Sequence, residues 1–310
     1  MASRQRQTIR DCKLKISSYV IVEEETERLD TERTQGTVPR IVPSVLVFGL
    51  FVLLAFGVLA FGAVHEWSTF LFEAGSVILF LVWAGMQFAS GQVKLSNNPL
   101  YLPALCFFLL VLAQISLRTS AYGYVSKYEV LHYVSYGIVL LIAAECVREE
   151  GARKKFAFAL IVFGGIYAFF ALAQELAPNG RIFWLYQPRF NGAIYGSYIN
   201  HNHYAGLVEM LVPMPLVVSM GHLVRGGKRA LIAFCAVLMA STIFLSRSRG
   251  GMIAFVLQIG LFAALTLVQR RNPRVAIGLV AVCILVLGFL VFDGKEQVPG
   301  RLGDRRLESV

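Results

Sequence analysis

Apolar runs alternate with short polar connections along most of this chain. The runs fall near 41–63, 68–89, 101–117, 130–147, 156–177, 203–222, 229–246, 250–269 and 274–292. A helix needs roughly 20 apolar residues to cross a bilayer. The pattern therefore predicts an all-α, polytopic integral membrane helical bundle of about nine transmembrane helices. Ser246-Arg247-Ser248-Arg249-Gly250-Gly251 separates the seventh and eighth runs, because two arginines and a glycine pair favour a turn over a helix interior. Pro213 and Pro215 predict a kink in the sixth.

The connections carry an uneven charge. Residues 1–40 hold eight of the basic side chains, and the loops on the same side add Lys94, Arg148, Arg153–Lys155, Arg225, Lys228, Arg229, Arg270, Arg271 and Arg274. The opposite side carries fewer: Arg118, Lys127, Arg181, Arg189, Arg247 and Arg249. The positive-inside rule makes the first side cytoplasmic and the second periplasmic or external. Residues 1–40 read as a cytoplasmic tail with a short strand or helix over 16–22. Residues 41–292 form the transmembrane domain, and 293–310 begin a periplasmic loop. The tail is not a signal peptide, since its apolar stretch starts too late and acids are mixed in.

Composition agrees with this picture. Hydrophobic residues make up 56%, charged residues 15%, and the mean hydropathy is +0.63. The net charge of +10 reads as cytoplasmic loops facing anionic lipid, not as nucleic-acid binding. Five cysteines, four of them in apolar runs, imply no disulfide framework.

Candidate chemistry gathers on the periplasmic side. Glu73, Gln114, His132, Gln174 and Glu175 lie near the outer ends of spans, and Arg181, Arg189, Asn191, Asn200, His201 and Asn202 follow in the loop 178–202. Acids at membrane depth are costly and seldom idle, so Glu73, Glu175 and Glu209 point to a polar cavity open to the exterior. The sixth and eighth spans both start on that side. Their first turns present unpaired N–H groups and positive dipole ends. Asn200 or Asn202 is placed to cap the first, Gly250 and Gly251 permit close backbone approach at the second, and Arg189 and Arg249 precede or open them. Guanidinium groups beside helix starts suit a phosphate or pyrophosphate, although Arg247 alone equally suits snorkelling to headgroups. His201 and His203 fit a helix cap and headgroup role better than a metal, and no metal site is expected. His65-Glu66-Trp67 reads as an interfacial anchor. No GxSxG, P-loop or Rossmann fingerprint is present.

Asn200-His201-Asn202-His203-Tyr204-Ala205-Gly206 before a proline-containing span, and Leu245-Ser246-Arg247-Ser248-Arg249-Gly250-Gly251 before the next, resemble the O-antigen ligase and polymerase family of bacterial membrane glycosyltransferases. Arg306-Leu307-Glu308-Ser309-Val310 resembles that family's arginine-containing element where a large external loop begins. The resemblance implies a lipid-dependent glycosyltransferase fold of the GT-C type, in the bacterial inner membrane. It implies transfer of a glycan from undecaprenyl pyrophosphate to a lipid A-core sugar or a growing polysaccharide, without a cofactor. Arg189 and Arg249 match pyrophosphate-binding positions, Arg306 matches the loop arginine, and Arg247 joins them. The family's histidine in the external loop has no counterpart up to residue 310, which gives the expectation of a chain truncated at that loop. Glu209 and His203 are the candidates for a base. Two alternatives stay open: a transporter for a small anion such as bicarbonate, and a non-catalytic truncated member.

Overall fold

The computed structural model describes residues 41–91, 93, 95–119, 122–188, 194–221 and 224–268. The tail 1–40, the ninth apolar run, the stretch 293–310, Arg189, Asn191 and Arg306 lie outside the described residues. The described chain is helical: α1 Ile41–Leu59, α2 Glu66–Ala89, α3 Tyr101–Ser116, α4 Gly123–Cys146, α5 Glu150–Leu176, α6 His201–Leu211, α7 Pro213–Met220, α8 Gly227–Leu245 and α9 Arg249–Val268.

These helices follow eight of the apolar runs, with two shifts. α4 starts at Gly123 instead of 130, and α5 starts at Glu150 instead of 156. Backbone hydrogen bonding carries both helices past the edge of their apolar runs, so Lys127, Glu129 and Arg153–Lys155 lie within the first two turns. Glu150 in the first turn of α5 complements the helix dipole. The sixth run is broken at Val212, between α6 and α7, where Pro213 begins the second piece. Arg247, at φ +56°, ends α8 and separates it from α9.

Among the described residues, five stretches are long and apolar enough to cross a membrane: Glu66–Ala89, Gly123–Cys146, Glu150–Leu176, His201–Met220 and Gly227–Leu245. Shorter apolar helices cover Ser44–Leu59, Tyr101–Ser116 and Arg249–Leu265. Large side chains such as Leu81, Leu102, Val237 and Leu257 are each more than 60% exposed on these helices. Water would penalise so much open apolar surface, whereas lipid does not. The chain is a multi-pass membrane protein.

Its residues group into two compact units. Of the described residues, one takes 41–50 and 73–152, and the other takes 51–72 and 153–268. In the first unit Gly49 lets α1 lie against Leu79 of α2, where a Cβ would come within 2.6 Å of the leucine Cδ2. Glu73 pairs with His132 at 3.2 Å, joining α2 to α4. At the far end of α4, one Glu145 oxygen accepts hydrogen bonds from the Ser96 backbone N–H, the Ser96 hydroxyl and the Tyr101 hydroxyl. That carboxylate ties the loop before α3 to α4.

The second unit holds a core of Val58, Tyr167, Ala168, Ala171, Tyr204, Ala205, Val208, Met239, Ile243, Phe255 and Ile259. Small residues set its helix spacing. A Cβ at Gly164 would meet Met239 at 2.7 Å, and one at Gly165 would meet Cys235 Sγ at 2.8 Å, so α5 and α8 approach through the glycine pair.

Candidate functional site at two helix starts

The loop between α5 and α6 is held down from below. Gln174, buried in the last turns of α5, donates from Nε2 to the Gly196 carbonyl at 2.8 Å and accepts from the Phe183 N–H at 2.8 Å. One amide thus fastens two separate stretches of the loop. Ser197 donates to the Val58 carbonyl at 2.6 Å, while the Tyr167 hydroxyl donates to Ser197 Oγ at 2.7 Å. Tyr195 and Tyr198 close a tight turn through reciprocal backbone bonds of 3.1 Å. Gly196 makes that turn with φ +58°, and a Cβ there would stand 2.8 Å from the Tyr204 ring and 2.9 Å from the Tyr167 hydroxyl. Burial pushes the Tyr198 phenol up to about 12. Burial, with a smaller contribution from the Glu175 charge, also raises Tyr195.

This strapped loop delivers the start of α6. Asn200 is the cap residue, its Oδ1 accepting from the Asn202 N–H at 2.9 Å. The sequence left Asn200 and Asn202 as alternatives, and the structure gives the cap to Asn200. Asn202 is instead a link to α9. Its Oδ1 accepts from the Ser248 hydroxyl at 2.8 Å, and Ser248 Oγ in turn accepts from the Gly251 N–H at 3.1 Å. Ser248 therefore caps α9 and binds that cap to the first turn of α6. The two helix starts expected to share a face are joined by a continuous hydrogen-bond chain.

The glycine pair divides its work. A Cβ on Gly251 would lie 2.7 Å from Ala205 Cβ, 3.0 Å from Glu209 Oε1 and 3.2 Å from Ser248 Oγ. Gly251 lets α6 and α9 touch. Gly250, expected to share this role, has nothing within 4 Å of its would-be Cβ among the described residues. It is exposed because the first turn of α9 turns only one face to α6.

Arg247 and Arg249 are both exposed at this turn, with Arg249 opening α9. Arg247 adopts a left-handed conformation usually left to glycine. His203 is exposed, with its ring 6.5 Å from that of Tyr198, while His201 is half-buried, its Nδ1 without a hydrogen-bond partner among the described residues. His65, read from the sequence as an interfacial anchor, meets the Tyr186 hydroxyl at 3.3 Å and packs edge-on to Phe61. Glu209 is on the face of α6 that meets Gly251, and its Oε1 is buried without a partner among the described residues. Arg189 and Arg306 fall outside the described residues, so the structure bears on the α9 half of the expected arginine set.

Sequence reasoning missed Gln258. Its Nε2 donates to the Glu209 backbone carbonyl at 3.0 Å. The available signal was an amide inside the apolar run 252–265, an intramembrane polar residue that needs a partner. Among the described residues no group of three or more His, Cys, Asp or Glu side chains is placed to hold a metal. The chemistry on offer is anion binding at two coupled helix starts with arginines at their rim, beside the half-buried Glu209 carboxylate, whose Oε1 is buried.

No curated protein and no solved structure matches the chain. The O-antigen ligase family model matches residues 234–306, which take in most of α8, the capped turn 246–248 and all of α9.

Proposed function

We propose that the protein is a glycosyltransferase of the O-antigen ligase or polymerase type, which moves a glycan from undecaprenyl pyrophosphate to a lipid A-core sugar or a growing polysaccharide on the periplasmic face of the bacterial inner membrane. One observation carries this reading: the starts of α6 and α9 are joined through Gly251 N–H, Ser248 and Asn202, with Arg247 and Arg249 at the same turn. A glycosyl pyrophosphate already contains its leaving group. As the sugar C1–oxygen bond breaks, negative charge grows on the pyrophosphate, and fixed donors aimed at that charge lower the barrier. Arg249, Arg247 and the first-turn N–H groups supply such donors. Arg189 and Arg306 complete the arginine set in this reading. The acceptor hydroxyl attacks C1 and gives up its proton, with Glu209 and His203 as the candidate bases.

The test is Arg249→Ala in membranes containing donor lipid and acceptor. Losing a charged hydrogen bond to the leaving group removes about 2–4 kcal/mol of transition-state stabilisation, so transfer falls roughly 10²–10³-fold while the protein still inserts. Wild-type glycan laddering in Arg249→Ala sinks the proposal.

A further inference from the structure

Glu209 has two unusual features that share one origin. In a continuous helix its carbonyl would accept from the N–H four residues on, which is position 213. Position 213 is proline and has no N–H. The orphaned carbonyl is satisfied across the helix pair by Gln258 Nε2 at 3.0 Å. Side chains lean toward the start of their own helix, so the Glu209 carboxylate rises from this anchor to the first turn of α9. There its Oε1 lies 3.0 Å from the would-be Gly251 Cβ, buried and without a donor among the described residues.

A buried carboxylate oxygen without a donor is expensive, and native structures almost always pair such groups. The described residues supply no partner, and any partner must bring an O–H or N–H. A phosphate at neutral pH offers acceptor oxygens and negative charge, so Glu209 repels it. A sugar hydroxyl offers the required donor and no charge. We propose that Glu209 is a hydroxyl-binding position for the first sugar of the lipid-linked glycan, beside its pyrophosphate, and that Gln258 is the positioning residue that fixes its backbone. This rests on the transferase reading for the identity of the lipid. The carboxylate separates sugar-bearing lipid from bare lipid pyrophosphate, and the proline break is what makes Gln258 necessary.

The experiment measures binding to the full chain in lipid nanodiscs, with two probes: undecaprenyl pyrophosphate carrying one sugar, and undecaprenyl pyrophosphate alone. Glu209→Leu is expected to weaken the sugar-bearing lipid at least about tenfold, the scale of one hydrogen bond to a charged group, and to leave the bare lipid unchanged or tighter. Glu209→Gln keeps the shape and one acceptor oxygen and falls between Leu and wild type. Equal effects on the two lipids, or none, overturn the hydroxyl role. Gln258→Leu is expected to lose the same selectivity, and Pro213→Ala in that background to recover it, because alanine at this position restores the N–H that the carbonyl lacks. No recovery overturns the positioning role. If the wild-type chain binds neither lipid, the transferase reading itself fails and takes this inference with it. If wild type binds both and Glu209→Leu changes nothing, the transferase reading stands and the inference alone is lost.

Discussion

Gly251→Ala is the sharpest probe of how the two helix starts are held together. The new Cβ would stand 2.7 Å from Ala205 Cβ, with Glu209 Oε1 at 3.0 Å and Ser248 Oγ at 3.2 Å. Carbon atoms rest at about 3.5–4.0 Å, so α6 and α9 must part by roughly 1 Å. Both atoms of the shortest contact are fixed to backbone, and neither can rotate away. Overpacking of this kind costs about 1–3 kcal/mol. Parting the helices also stretches the 2.8 Å bond from Ser248 to Asn202. Gly250→Ala provides the control one residue away. Its Cβ meets nothing within 4 Å among the described residues, and alanine gains up to about 1 kcal/mol over glycine in a helix. Thermal unfolding in detergent, followed by tryptophan fluorescence, should therefore move in opposite directions for the two variants. Removing the Ala205 Cβ as well, in Ala205→Gly with Gly251→Ala, should return most of the loss. A Gly251→Ala protein as stable as Gly250→Ala would refute the close contact, and with it the geometry proposed for the site.

Three further outcomes are expected. Gln174→Leu leaves the Gly196 carbonyl and the Phe183 N–H without their partner, at about 1–3 kcal/mol for each group that stays buried; limited proteolysis should then cut the loop 177–188 faster than in wild type, and equal rates would remove the strap role. Arg247→Gly relieves a left-handed residue and should raise stability by up to about 1 kcal/mol while weakening donor-lipid binding; a gain in stability with full binding would leave the Arg247 side chain without a ligand role. The Tyr198 phenol, raised by burial to about 12 from an ordinary value near 10, stays neutral in the fold while an unfolded chain ionises. Its contribution to stability is thus complete below pH 10 and is lost as pH climbs toward 12. Ultraviolet titration should show a late phenolate phase whose amplitude falls by one tyrosine in Tyr198→Phe, and an unchanged amplitude would assign the phase elsewhere.

The membrane architecture was legible in the chain because hydropathy acts locally. A run of apolar residues makes a lipid-compatible helix wherever it lies, so eight of the nine runs correspond to described helices or helix pairs, and the proline break and the turn at Arg247 fell where their own residues required. The family resemblance was legible for the same reason, since it rests on contiguous motifs, and the match over 234–306 supports it. Contacts across long separations were not legible. Ser248 meets Asn202 across 46 positions, Gln258 meets Glu209 across 49, and Glu145 gathers Ser96 and Tyr101 from 49 and 44 positions away. Each is a hydrogen bond whose reach is a few ångströms, so the pairing depends on which segment faces which and at what height. Gly250 and Gly251 are the same residue in the same motif, yet only the packing of α6 against α9 decides that one is open and the other is the point of contact.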